Sequence, residues 1–476
     1  MRPTVPLMMF GWIPFVAQLF LKLTHRRATI ASIILAWMFL PQYAYTLPVL
    51  PDYDKTMAAS LAVLFATYLY ASGRFSTLKL DWYDGIMALW CLTPMFASLT
   101  NGLGAYDGFA ASNGYVTTWF LPYLVGRLYI TDWAAVKDLV WGIFFGGLIY
   151  IPLCWIEILL SPQLHMWVYG WHPHDFIQSV RGNSFRPVIF MHHGLMVGMW
   201  MAAACLCGIG LYMSGSLPEM SGLLKKLKVP AWLKPTHLLF ALLVTFLACQ
   251  SVGALALLIQ AGLVFFLCRK FKTKLFLLLL IAYPAYSMTM SLKGGSGKHG
   301  TVDFIRTYIS EDRAASLEFR LNNEEILVER ALQRPTFGWG GWGRSRVLDE
   351  EGVDISVTDA YWIIVFGTTG IVGLASFVLV VSVPTVRLLQ KFPVEGWRDS
   401  GALLVMPLAI LLPIYAQDCL LNDMKNPIYM VIAGGLITMT QVPGLLPLLG
   451  LTSSLTPAEK PLPPYLGSGL PRPRYI

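Results

Sequence analysis

Residues 358–384, TDAYWIIVFGTTGIVGLASFVLVVSVP, carry one charged group, Asp359, and carry it at the start. Beyond Asp359 the run is apolar, small or hydroxyl-bearing for longer than the about 20 residues that cross a bilayer core. A helix on the surface of a soluble domain needs a polar face, and this run has none. It reads as a membrane-spanning helix with an acid at its mouth.

Working outward, runs of the same character recur at 5–22, 28–48, 57–73, 83–100, 114–130, 138–160, 187–212, 236–250, 252–268, 275–291, 400–418 and 427–445. The pair within 236–268 is short for two crossings and reads as a tight hairpin turning at Gln250–Ser251, so the expectation is 12–13 transmembrane helices. Composition agrees. The 476 residues are 56% hydrophobic and only 13% charged, against about 25% charged in soluble domains. The fold class is all-α integral membrane. The net charge of +8 lies largely in short runs between apolar segments, where it orients helices, and nucleic acid is not an expected partner. The N-terminal run follows an Arg as a signal peptide does. No small-residue cleavage site comes after it, so it reads as a retained helix.

The basic runs give the topology. Lys22, Arg26 and Arg27 follow the first helix, Arg74 and Lys79 the third, and Lys225, Lys226, Lys228 and Lys234 the seventh. Arg269, Lys270, Lys272 and Lys274 follow the ninth, and Arg387, Lys391 and Arg398 the eleventh. With thirteen crossings all these clusters share one side, the cytoplasmic one by the positive-inside rule. Loops 161–186 and 292–357 then lie on the opposite face with the N-terminus. Residues 1–451 form the transmembrane domain. The Pro- and Ser-rich tail, 452–476, reads as a disordered cytoplasmic extension.

The long outer loop concentrates the chemistry. From Ser310 to Leu332, Leu317, Leu321, Ile326, Leu327, Ala331 and Leu332 recur at near-helical spacing among Arg313, Arg320 and Arg330. This predicts an amphipathic helix lying over the membrane domain. Arginine grips phosphate oxygens in a bidentate manner, and Arg181 and Arg186 form a second group in RGNSFRP. Two such groups could clamp a lipid pyrophosphate; the plain alternative is a solvated, ion-paired face. GWGGWGRSR, 338–346, sets Trp339 and Trp342 among glycines and ends in Arg344. It is no Walker loop. It reads as a mobile lip stacking on sugar or lipid, or as an interfacial aromatic belt. Asp359 is a general-base candidate, with a helix-capping acid as the alternative.

Other clusters read as structural. His165, His172, His174, His192 and His193 crowd into 165–193, but HPH and HH lack the i,i+4 spacing of a helical zinc site. No metal or other cofactor is expected. Asp52 and Asp54 in PDYDK read as a turn and helix cap. The cysteines lie in or beside apolar stretches without CxxC spacing and read as packing.

In this order, the chain resembles the O-antigen ligase and O-antigen polymerase (Wzy-like) superfamily of bacterial membrane glycosyltransferases. The likeness rests on residues 180–445: the hairpin FLACQSVGALALLIQAGLVFF, a long loop with an Arg, ALQRPTFGWGGWG, a polar residue opening a helix, and FGTTGIVGL. It implies a GT-C-like fold with a long, partly helical periplasmic loop, and a metal-independent transferase of the bacterial inner membrane. Such an enzyme moves an undecaprenyl-pyrophosphate-linked oligosaccharide to a sugar hydroxyl, in exopolysaccharide or O-antigen synthesis. The implied partners are the lipid-linked donor, a glycan acceptor, membrane lipid and other polysaccharide-assembly proteins. Carried over by position, Arg320 matches the loop arginine and Arg181 or Arg186 the earlier one. Asp359 stands where the ligases usually have His, which moves the expectation towards a polymerase. The rivals are a flippase of lipid-linked glycan, and a GT-C enzyme using Asp52 or Asp54.

Overall fold

The computed structural model describes residues 2–46, 51–182, 184–294, 299–308, 310–341, 343–398 and 400–441. The tail expected from 452 lies outside the described residues. Of the described residues 74% are helical. Its first helices are α1 (Thr4–Lys22), α2 (His25–Phe39), α3 (Lys55–Ala71), α4 (Gly73–Ser76), α5 (Trp82–Thr100) and α6 (Ala105–Tyr115). A π-helical turn, Val116–Phe120, joins α6 to α7 (Leu121–Tyr129). Then come α8 (Trp133–Leu160), α9 (Leu164–Tyr169), α10 (Gly194–Met213), α11 (Met220–Lys226), α12 (Pro235–Ala248), α13 (Val252–Lys270) and α14 (Leu275–Leu292). The rest are α15 (His299–Tyr308), α16 (Glu311–Leu332), α17 (Tyr361–Lys391), α18 (Ser400–Asp418) and α19 (Pro427–Gln441). A minimal antiparallel ladder pairs β1 (Val180–Arg181) with β2 (Ser184–Phe185).

Among the described residues seven helices, α1, α8, α10, α13, α14, α17 and α18, are long and apolar enough to cross a membrane. Three more, α3, α12 and α19, are apolar but shorter. The protein is an all-α, multi-pass membrane protein. Together with α2, α5 and the α6–α7 leg, these make thirteen legs among the described residues, and their contacts sort into two ends.

At one end Arg26 pairs with Asp138 (2.7 Å), Lys137 with Glu219 (2.6 Å), Arg387 with Asp81 and Arg127 with Asp84. The Gln441 amide donates to Asp81 there (3.0 Å). At the other end Thr4 donates to Val168 O (2.6 Å), Gln250 to Ser184 Oγ (2.8 Å) and Asn101 to Gly338 O (2.9 Å). Successive legs alternate between this basic end and the loop-bearing end, with Thr4 at the latter. The basic runs lie at one end, as the charge pattern predicts.

Within a bilayer, burial of apolar area does not drive helices together, so close packing and hydrogen bonds must. The clearest case is α7 against α19. A Cβ on Gly126 would sit 2.1 Å from Val431 O, and one on Gly434 2.1 Å from Tyr123 O. Only glycine lets these backbones touch.

Two helices are shorter than their apolar runs. α2 stops at Phe39, where the chain turns back through an isolated bridge, Tyr45 to Tyr53. α10 starts at Gly194, not 187. Pro187 opens an irregular segment, and the buried Glu157 carboxylate accepts from the amides of Leu164 (2.9 Å), Val188 (2.7 Å) and Ile189 (2.7 Å). Those charge-assisted bonds satisfy backbone groups that a longer helix would have satisfied internally.

Candidate functional site

α16 lies over the loop-bearing end as an amphipathic helix. Leu321, Leu327, Val328 and Ala331 are buried beneath it, whereas Leu332 is 45% exposed. Arg320, Asn323, Glu324 and Leu327 recur at i, i+3 and i+4 spacing and share one face. That face meets the start of α17. Asn323 accepts from Val357 N (2.8 Å), and Glu324 accepts from the Trp362 indole (3.3 Å).

Arg320 and Asp359 form an ion pair at 3.5 Å. Their side chains keep 28% and 43% of their exposure, so a solute can reach both. Arg320 also donates to Leu421 O and to Asn422 Oδ1, each at 3.3 Å. Asp359 does not cap the helix. Ala360 holds that position and supplies no side-chain bond. Instead the α18–α19 connection satisfies the first α17 amides, Tyr361 N to Asn422 O (3.3 Å) and Trp362 N to Cys419 O (3.2 Å). The carboxylate is thereby left for Arg320.

Beside the pair, behind Glu324, Leu420 and Leu421, lies a mostly apolar cavity of about 340 Å³. Leu257, Tyr283, Leu317, Leu321 and Trp362 line it, and Gln417, Asp418 and Asn422 give it a polar wall. Asp418 is buried and accepts from the Asn422 amide at 2.6 Å. Sequence reasoning missed this wall. Its signal was the charged DCLLNDMKN between the last two apolar runs, which looks like an ordinary connection.

The Gly-Trp segment is a clasp rather than a lip. Trp339 N donates to Gly367 O (2.8 Å), Gly340 N to Thr368 O (3.0 Å) and Ile371 N to Pro335 O (2.7 Å). These bonds seat residues 335–340 against a break in α17 at Gly370, whose φ is 65°. Trp339 is half-buried. Its indole donates to Arg330 O (2.8 Å), and the Arg330 guanidinium stacks 3.6 Å from the ring, with Arg334 at 5.2 Å. Arg344 donates to Trp339 O (3.2 Å). Among the described residues Arg330, Arg334 and Arg344 have no carboxylate partner. By contrast, Arg306 meets Asp303, Glu311 and Glu318, and Arg346 meets Asp354 (2.6 Å). Three arginines without a carboxylate partner among the described residues therefore gather round Trp339. Trp342 and the Arg313 side chain lie outside the described residues.

The other arginine group stands apart. Arg186 is buried and donates to Gln250 O (3.2 Å), at the tip of the α12–α13 hairpin. Arg181 lies on β1. No hydrogen bond or ion pair joins either to Arg320 or Asp359 among the described residues. The hairpin tip touches both neighbourhoods, since Gly253 lines the cavity. Nearby, His174 and His193 share the Gln178 side chain (3.0 and 3.2 Å). No cluster of three metal-ligating side chains occurs among the described residues.

Asp54 caps α3 by accepting from Met57 N (2.8 Å). Its neighbour Lys55, unremarked in the sequence, is buried and donates to Trp37 O (2.9 Å). Compared with known proteins, the chain matches no family model and no curated sequence.

Proposed function

We propose that this protein is a glycan polymerase or ligase of the cell envelope. It transfers an undecaprenyl-pyrophosphate-linked oligosaccharide to a sugar hydroxyl at the loop-bearing end, in exopolysaccharide or O-antigen synthesis. That end would be the periplasmic face of a bacterial inner membrane. The observation that carries the reading is the accessible Arg320–Asp359 pair beside an apolar cavity. Arginines free of carboxylate partners stand round Trp339 on the same loop.

The chemistry asks for little else. The acceptor oxygen attacks the anomeric carbon as that carbon's bond to the pyrophosphate oxygen breaks, and the bonding pair leaves with the pyrophosphate. Asp359 takes the hydroxyl proton. Arginine neutralises the charge gathering on the leaving group, through Arg320 and the group of Arg330, Arg334 and Arg344. The cavity offers apolar walls to the first isoprenes of the carrier.

Transport finds less support. Ion and substrate relays place ionisable groups deep in the bilayer. Here the buried Arg127 and Glu157 sit within a turn of their helix ends and are engaged by Asp84 and by backbone amides. The test is the glycan profile of a strain lacking the protein. Single-unit glycan supports a polymerase, and polymer retained on the lipid carrier supports a ligase. Repeat units held on the inner leaflet would replace the reading with a flippase.

A further inference from the structure

At the basic end a groove of about 560 Å³ runs between α10, α13 and α18. Apart from Arg269 and Lys270, every residue lining it is apolar or glycine. Leu206 and Met213 of α10, Leu258 of α13 and Met406 of α18 mark its walls. It runs along α13 from Leu258 to Lys270, about 18 Å at 1.5 Å per residue, which is close to the half-thickness of a bilayer core, about 15 Å. Its length is that of one leaflet.

The two cations lie at one extremity, in the last turn of α13. Neither has a carboxylate partner among the described residues. Each instead lies against an aromatic ring of its own helix, Arg269 over Phe265 at 5.5 Å and Lys270 over Phe266 at 5.8 Å. Both line the groove from the last turn of α13, where the stems of such side chains cover apolar surface and their heads snorkel to the headgroup level. Helix orientation alone needs positive charge on this side. It does not need two unpaired cations closing a one-leaflet apolar channel.

We propose that this groove is a binding site for one anionic diacyl phospholipid, with an acyl chain along α13 and the phosphate between Arg269 and Lys270. The inference does not rest on the glycan reading. Basic pockets between transmembrane helices select anionic headgroups, and each cation near a headgroup contributes enough for a several-fold preference.

Gly262 gives the test its lever. It lines the groove, and a Cβ placed there meets nothing within 4 Å. Gly262→Phe therefore projects a ring into the channel from a Cβ that meets no protein atom, and Gly262→Ala leaves the channel open. The experiment is native mass spectrometry of the purified full-length protein, offered phosphatidylglycerol or phosphatidylcholine at equal mole fraction. The expected result is one saturable phosphatidylglycerol adduct, preferred roughly tenfold. It should persist in Gly262→Ala and vanish in Gly262→Phe. The double variant Arg269→Gln/Lys270→Gln should keep an adduct and lose the preference, while Lys272 and Lys274 still orient the helix. Equal binding of the two lipids, or an unchanged adduct in Gly262→Phe, would overturn the proposal. So would displacement of phosphatidylglycerol by equimolar undecaprenyl phosphate. Should a variant fail to fold, the lipid extracted from the wild-type protein decides: enrichment in anionic phospholipid over the surrounding membrane supports the site, and bulk composition sinks it.

Discussion

Asp359 stands just ahead of a helix whose first amides are already bonded by the carbonyls of Cys419 and Asn422, which leaves its carboxylate to Arg320; under the proposed function it is the base. Asp359→Asn keeps the size and removes the base. Transfer should fall about 10²–10⁴-fold, with folding and membrane insertion unchanged, as judged by glycan chain length and protein level together. Arg320→Ala should lose about 10²–10³-fold and leave lipid-linked repeat units to accumulate. His165 makes a different prediction. Its Nδ1 faces Trp171 O at 2.8 Å and must donate, while its Nε2 accepts from Gln42 N at 3.3 Å. The ring is held neutral, and burial pushes its pKa down to about 4. Above pH 6.5 both the folded and unfolded forms are neutral there and its packing is fully effective. Between pH 6.5 and 4 only the unfolded chain takes the proton, so stability falls by about 1.4 kcal/mol per pH unit. The melting temperature should therefore drop between pH 7 and 5, and the drop should shrink in His165→Gln. An identical pH response in the two proteins would exclude this residue as a cause.

At the scale of elements, the most constrained contact is the clasp between residues 335–340 and the break in α17. Gly338 has a φ of 68°, and its Cβ would lie 2.5 Å from Thr368 C. Gly338→Ala meets both a left-handed backbone and a collision, and should cost at least about 2 kcal/mol. Gly343, at a φ of 84° with nothing within 4 Å, should cost only about 1 kcal/mol on the same change. Thermal unfolding of the two variants checks the ordering; equal losses would refute the clasp. These elements also mark what a sequence can and cannot convey. The helical legs, the turn at Gln250 and the amphipathic α16 were legible because apolar period and breaker residues act locally. The Gly-Trp run suggested mobility, because nothing local reveals that its amides pair with carbonyls beyond Asp359. Arg330 was named among the loop arginines, but Arg334 and the gathering of the two round one indole were hidden for the same reason. Their partner Trp339 is nearby in sequence, but the acids they lack are a property of the folded surface. Asp418 and Lys55 stand at helix ends, where nothing in the local sequence reveals that the fold buries them.

For the whole molecule, the charge pattern and the contacts agree on two unlike ends. The basic end is bound together by ion pairs such as Arg26–Asp138 and Arg127–Asp84. The loop-bearing end collects the reachable pair, the cations round Trp339 and the cavity. A cysteine placed at Glu351 and one at Lys226 should label from opposite sides of sealed cells; labelling from the same side would break the thirteen-leg topology. The decisive measurement is turnover of a synthetic undecaprenyl-pyrophosphate oligosaccharide by the purified protein in vesicles, wild type beside Asp359→Asn. The account predicts glycan extension with release of undecaprenyl pyrophosphate by the wild type and almost none by the variant. Movement of the intact lipid-linked glycan between leaflets without release of pyrophosphate, equally in both proteins, would contradict it.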